Sequence, residues 1–221
     1  EIIVVDNASS DGSQNMIKEL YPRIKLQCNE ENVGFSKANN QGVQISSGDY
    51  LLFLNSDTLV RENALFNMLA YLENHPEAGI VGPKIVNADN EPTRSYMRFL
   101  DIRMFFLGAR CLSRLIAADR YRLHYNQYDF SSVQSVPWLS GACLMTRRRV
   151  FQDAGCFDEG YFLYLEDMDL CMQVKKLGYA NIYLPTAEIV HLFGGSSKHK
   201  RDELTVIYRQ SANHYFQKNF S

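Results

Sequence analysis

Two apolar runs that each end in a carboxylate constrain this chain more than any other feature. Tyr50-Leu51-Leu52-Phe53-Leu54 runs into Asn55-Ser56-Asp57, and Ile2-Ile3-Val4-Val5 runs into Asp6. A short continuous apolar run bounded by polar turn residues reads as a strand buried on both faces, and the residue after it lies at the carboxyl edge of the sheet. Open α/β sheets bind their ligands at that edge. The neighbouring segments alternate in kind. Gln14 to Leu20 reads as a helix ended by Pro22, Ile24 to Cys28 as a strand, Val33 to Ser46 as a helix, Asn63 to Asn74 as a helix ended by Pro76, and Gly79 to Val86 as a strand. This strand and helix alternation predicts an α/β fold, a Rossmann-like and mostly parallel central sheet with helices on both faces.

A chain of 221 residues, 46% hydrophobic, is long enough for one large domain with a buried core. A formal net charge of −2 with no long basic stretch argues against nucleic acid as a partner. The five cysteines, Cys28, Cys111, Cys143, Cys156 and Cys171, are odd in number and include no CxxC pair, which favours buried thiols in a reducing, cytoplasmic compartment over disulfides or zinc. No stretch has the length and apolar purity of a transmembrane helix, and no signal peptide is visible. The chain starts at Glu1 almost inside a strand, so an upstream piece is expected.

The middle differs in character. Residues 94–132 interleave arginines with aromatic and aliphatic residues, a pattern of a helical insertion packed on the domain or, less often, of a peripheral membrane contact or an anionic groove. Val133 to Thr146 is apolar strand material holding the only tryptophan, Trp138, and then Ser140-Gly141-Ala142. An indole face suits a sugar ring and small residues admit a ligand to the backbone, although a lone Trp is more often core, and both readings stay open.

Acidic residues crowd the start of a helix from about Glu166 to Gly178. Leu170, Cys171, Val174 and Leu177 make its apolar face, and Asp167, three and four positions before Leu170 and Cys171, points inward; Asp169 groups with Gln173 and Lys176 on the wet side, with Glu166 at the boundary. A carboxylate turned inward is costly unless it has a partner or a task. Asp57 with Asn55 and Ser56 offers too few ligands for an all-protein cage but suits Mg²⁺ or Mn²⁺ sharing substrate phosphates, or else it is a polar turn capping the next helix. Asp6 and Asp11 are candidates to accept from a base or ribose, with Asp11-Gly12 more simply a turn pair. Asp202 to Phe220 reads as a closing helix.

These segments carry a resemblance. VVDNASSDGS at Val4 to Ser13, ENVGFSKANNQG at Glu31 to Gly42, GDYLLFLNSD at Gly48 to Asp57, WLSGACLMTRR at Trp138 to Arg148 and GCFDEGYFLYLEDMDLCMQVKKLGY at Gly155 to Tyr179 resemble, in order, family 2 glycosyltransferases of the GT-A fold, and among them bacterial rhamnosyltransferase-like enzymes. The resemblance implies one domain over 1–221, with a nucleotide-binding half at 1–90, an insertion at 91–132 and an acceptor-binding and catalytic half at 133–221. It implies an inverting, Mg²⁺- or Mn²⁺-dependent transfer of a sugar from a UDP- or dTDP-type donor to a saccharide or lipid-linked saccharide acceptor, in cell-surface polysaccharide synthesis at the inner face of the cytoplasmic membrane. Asp167 corresponds to the catalytic base. Asp6, Asn7, Asp11, Asn32, Gly34, Asn40 and Ser56 fall in the segments that bind the nucleotide, Asp57 and His191 in those that hold the metal, and Trp138, Gly141 and Glu166 near the acceptor. Asn55 replaces the first acid of the metal motif, and the family's first strand would precede Glu1, leaving a gap in the sheet. Two other readings of the residues stay open, a nucleotidyltransferase of related fold and a non-catalytic sugar- or nucleotide-binding module; the absence of Lys and Arg from Asn7 to Ser13 weighs against the first.

Overall fold

A computed structural model describes residues 1–100, 129–192 and 201–220. Strand β1 (Ile3–Asn7), helix α1 (Ser13–Leu20), strand β2 (Lys25–Asn29), helix α2 (Phe35–Gln44) and strand β3 (Tyr50–Leu54) follow in order. Then come β4 (Thr58–Val60), α3 (Ala64–Asn74), β5 (Ala78–Val86) and β6 (Tyr96–Met97). After residue 128 come β7 (Gln134–Val136), β8 (Trp138–Leu139), β9 (Cys143–Arg147), α4 (Arg148–Asp153), α5 (Glu166–Lys176), β10 (Ala180–His191) and α6 (Arg201–Phe220).

The largest sheet runs β3-β9-β5-β10-β4, with β7 also on β10, and its strand directions are mixed. β10 lies parallel to β5, whereas β9 is antiparallel to both β3 and β5, and β4 and β7 are antiparallel to β10. The expectation of a mostly parallel sheet therefore needs correcting. The alternation of strand and helix up to Val86 correctly gives β3 and β5 one direction, but β9, which returns from the far side of the middle segment, inserts between them. β1 and β2 form a separate parallel pair, and among the described residues no strand joins β1 to β3.

Why the strand runs are apolar without a break is visible in the packing. Along each central strand alternate side chains enter opposite cores: Leu51, Phe53, Ile80, Leu144 and Tyr183 on one face, Val81, Cys143, Met145 and Ile182 on the other. Met68 and Leu72 of α3 close the second core, and Leu170, Cys171 and Val174 of α5 close the first. Each such burial contributes roughly 1.5–3 kcal/mol. Arg147, the last residue of β9, turns its guanidinium back onto the carbonyls of Leu72, His75 and Ala78, capping the carboxyl end of α3.

Several expectations change. The longest strand, β10, had no counterpart in the sequence pattern, because Pro185 and Glu188 break its apolar run; its ladder with β5 shifts register between Leu184 and Glu188. The strand material of Val133 to Thr146 divides into β7, β8 and most of β9. The proposed insertion begins with a strand, since Tyr96 and Met97 pair with Leu139 and Trp138. Its helical reading over 101–128 lies outside the described residues. Cys28 is an exposed thiol, because among the described residues β2 has β1 on one side only; Cys143 and Cys171 are buried and free. Among the described residues no helix is long and apolar enough to cross a membrane.

β5 fits under α5 only because it lacks a side chain at Gly79. A Cβ there would meet Val174 Cγ1 and lie 2.7 Å from Tyr179 Cβ. Gly79→Ala is expected to destabilise the fold by about 1–3 kcal/mol in urea unfolding, the usual range for overpacking; an unchanged midpoint would show that α5 does not rest on this strand.

Candidate active site

The carboxyl ends of β1 and β3 and the amino ends of α2, β9 and α5 meet at one edge, and short hydrogen bonds tie them together. Asn55 N–H donates to Ala142 O at 3.0 Å, which joins the polar turn after β3 to the turn before β9. The next residue back, Gly141, donates its N–H to Asp167 Oδ2 at 2.7 Å. Two contacts thus connect the Asn55-Ser56-Asp57 turn to the inward acid of α5. A Cβ on Gly141 would lie 3.1 Å from that carboxylate, so the small residue permits the approach.

Asp167 is buried. Its Oδ1 accepts Met168 N–H at 2.8 Å. Burial pushes its pKa up, the Gly141 and Met168 amides pull it down, and burial prevails. The buried Trp138 Nε1–H falls short of a formed hydrogen bond, yet it lies close enough to Asp167 to help hold the charge. Trp138 therefore belongs with the carboxylate, half-buried between two core clusters. The entry into this helix is strained: Tyr164 and Leu165, both with side chains, stand in the left-handed region at φ 72° and 70°. Such conformations persist where the surrounding structure over-determines them, and they cluster at functional sites.

The neighbouring acids differ from the sequence expectation. Glu166, placed at the boundary, is 6% exposed, and its Oε2 has no hydrogen-bond partner among the described residues. Burial first, and then the adjacent Asp167 charge, raise its pKa. Asp169, placed on the wet side, is 2% exposed. α6 covers it, and Lys218 Nζ at 2.7 Å, Asn219 Nδ2 at 3.0 Å and Gln173 Nε2 at 3.2 Å donate to its oxygens. The helical wheel could not reveal this, because the covering helix lies about fifty residues downstream. Lys218 also holds Asp158, which pairs with His214 as well; against the upward push of burial these partners keep that carboxyl at about 2.

Asp57 and His191 meet, with His191 Nε2 3.0 Å from Asp57 Oδ1. β4 pairs Thr58 with His191, and Leu192 N–H donates to Asp57 O at 2.9 Å, so the backbone itself brings the two side chains together. Ser56 is exposed beside them. Among the described residues no third His, Cys, Asp or Glu joins the pair to complete a metal cluster. A carboxylate oxygen and an imidazole nitrogen could both ligate a divalent ion, which would then need its other ligands from phosphate and water.

On the β1 side, Asp6 Oδ1 accepts from Gln14 Nε2 at 2.6 Å and Ser9 N–H at 3.0 Å. Burial pushes its carboxyl up, but these bonds outweigh it and hold the pKa below the ordinary value. Asn7 Nδ2 donates to Gly34 O at 3.1 Å, and Asn32 Oδ1 accepts Gly34 N–H at 3.0 Å. Gly34, at φ 86°, lies against the loop before Asp167: a Cβ would stand 2.6 Å from Phe162 O. Asp11 forms a local turn, accepting from the N–H and hydroxyl of Ser13. Asn40 faces the turn at Phe157 rather than Asp6.

A model of the family described as glycosyl transferase family 2 matches residues 1–155. The chain belongs to glycosyl transferase family 2. Among curated relatives, an N-acetylglucosaminyl-diphospho-decaprenol L-rhamnosyltransferase of Mycobacterium tuberculosis is 29% identical over 202 residues, 86% of this chain and 66% of that protein. A dTDP-rhamnosyl transferase of Shigella flexneri is 24% identical over 199 residues, 89% of this chain and 61% of that protein. Among solved structures, a mannosyltransferase of Pyrobaculum calidifontis in complex with GDP-Man and Mn²⁺ superposes with a TM-score of 0.65 at 19% identity, over 99% of this chain and 54% of that one. TarS of S. aureus gives 0.61 at 16% identity, over 100% of this chain and 35% of that one. These likenesses show a GT-A-like α/β fold, a central sheet with flanking helices. This family 2 chain spans no more than about two thirds of the curated relatives' length.

Glu166 provides a test of the electrostatics. Its pKa in the fold lies above its unfolded value, so between the two the native state keeps a proton that the unfolded chain has lost, and stability falls as pH rises through that window. Glu166→Gln is expected to flatten this fall in urea unfolding followed from acidic to mildly alkaline pH, with a gain of about 1–3 kcal/mol at the alkaline end. An unaltered slope would mean that Glu166 is solvated in the native state.

Proposed function

We propose that this chain carries the transfer domain of an inverting glycosyltransferase that moves a sugar of the rhamnose class from a nucleoside diphosphate, of the UDP or dTDP type, to a hydroxyl of a saccharide or lipid-linked saccharide acceptor in cell-surface polysaccharide synthesis. The observation that carries the reading is the buried Asp167 carboxylate, held by the Gly141 and Met168 amides at the same sheet edge as the Asp57–His191 pair. The activities for which the rhamnosyltransferase relatives are named support the donor and acceptor classes, and the Mn²⁺ and GDP-Man of the mannosyltransferase structure support a divalent ion.

The chemistry follows from the residues. Asp167 accepts the proton of the acceptor hydroxyl as that oxygen bonds to the anomeric carbon, while the bond to the diphosphate oxygen breaks on the opposite face and the nucleoside diphosphate leaves. One base suffices, and no covalent enzyme intermediate forms. A carboxylate whose pKa is raised by burial is a stronger proton acceptor than one in water, and its two amide donors fix its orientation without neutralising it. The half-buried Trp138 indole, beside the carboxylate, would offer the acceptor sugar an apolar face. Asp6, Asn7 and Asn32 line the donor side. Asp57 and His191 would hold Mg²⁺ or Mn²⁺, which when bound supplies positive charge for the departing diphosphate.

Asp167→Asn keeps the size of the side chain and removes the base. Transfer from dTDP-rhamnose or UDP-sugars, measured by release of nucleoside diphosphate with a saccharide acceptor, is expected to fall by about 10²–10⁴-fold, with binding of the nucleoside diphosphate in the presence of Mn²⁺ retained. Turnover at the wild-type rate would exclude Asp167 as the base.

A further inference from the structure

The loop that delivers Asp167 is gripped at two points by α2. Asn40 Nδ2 donates to Phe157 O at 2.8 Å and to Glu159 Oε1 at 3.0 Å, and Asn40 Oδ1 accepts Phe157 N–H at 3.2 Å. The carboxamide thus exchanges a donor and an acceptor with one residue's backbone, as a neighbouring strand would. Five residues earlier on the same helix, Phe35 N–H donates to Phe162 O at 2.7 Å, and Gly34 leaves room for that carbonyl. The rings of Phe35 and Phe157 meet edge to face at 5.8 Å. Between the grips and the helix stand only Leu163 and the left-handed Tyr164 and Leu165, then Glu166 and Asp167.

We propose that Asn40 is a positioning residue: from α2 it seats the Phe157–Glu159 turn and, through that loop, holds Asp167 against Gly141, instead of lining the nucleotide pocket. Two left-handed residues in succession cost on the order of 1–2 kcal/mol each, so the loop keeps this shape only if both of its ends are fixed. The carboxyl end is fixed by the Gly141 N–H on Asp167 and by the Ser211 hydroxyl of α6, which donates to Leu163 O at 2.8 Å. Asn40 fixes the amino end, where Lys218 and His214 also hold Asp158, and because both ends of its carboxamide are engaged, no polar atom of it is left without a protein partner. The same helix begins at Gly34, whose carbonyl accepts from Asn7 beside Asp6, so α2 links the donor side of the cleft to the base. The inference rests on the reading of Asp167 as the base.

Two readouts separate it from a donor contact. Asn40→Ala is expected to speed amide hydrogen exchange at Phe157 and at Gly141, and to lower kcat by about 10²-fold, the scale of a 1 Å misplacement, while the Kd of UDP or dTDP stays within about twofold. Asn40→Asp places a carboxylate against Phe157 O and Glu159; adding Glu159→Gln, which turns that repulsion into a donor, is expected to restore part of the kcat and of the Gly141 protection. The Asp pair also serves if the Ala variant does not fold. A weakened nucleotide Kd with Gly141 exchange unchanged, or no rescue by Glu159→Gln, overturns the proposal. Absence of transfer in the wild-type protein would count against the function reading alone, because Gly141 exchange in the Asn40 variants still decides this one.

Discussion

The hydrogen bond from Gly141 to Asp167 joins two parts of the molecule that otherwise serve different purposes. One is the sheet, whose strand β9 begins two residues after Gly141; the other is α5, packed across that sheet by Leu170, Cys171 and Val174. Burying a carboxylate in such a place is unfavourable unless donors are aimed at it. Two backbone amides and the amino end of α5 meet that need, and they do so with fixed groups that require no side-chain ordering. The net effect is an acid that keeps one geometry while its proton affinity is raised.

The rest of the edge is built by the same means. Asp57 and His191 are brought together by the β4–β10 ladder, and Asn55 is tied to Ala142 through main-chain atoms. Side-chain bonds then connect the layers that the sheet does not: Asn7 to Gly34, Asn40 to Phe157, Lys218 to Asp158 and Asp169. β1 and β2 have no ladder to the main sheet among the described residues, and their link to it runs through α2 and through Glu1, which accepts from Ser47 and Gly48 at the head of β3.

Much of this was legible in the residue pattern, and the failures have physical causes. Continuous apolar runs marked β3 and β5, which lie between the two cores, and also β1, which is only half-buried, and the positions of Leu170, Cys171 and Val174 told that Asp167 turns inward. β10 escaped notice because Pro185 and Glu188 interrupt it at a register shift. The direction of β9 escaped because strand polarity depends on which strands become neighbours, and local periodicity does not carry that information. Asp169 and Glu166 were misjudged for a related reason: the helix that covers Asp169 comes from residues 201–220, and no heptad count within α5 foresees it. The Asp57–His191 pairing followed from the family resemblance and not from spacing, since 134 residues separate the two.

The central claim is that the Asp57–His191 pair and Asp167 face one cleft. Paramagnetic broadening by Mn²⁺ tests it directly, in amide spectra of the protein with and without a nucleoside diphosphate. Bound at Asp57 and His191, Mn²⁺ is predicted to broaden the Gly141, Ala142 and Met168 amides together with that of Thr58, and to leave those of α1 sharp. Broadening confined to Thr58 and its strand neighbours, with Gly141 and Met168 unaffected, would contradict the account.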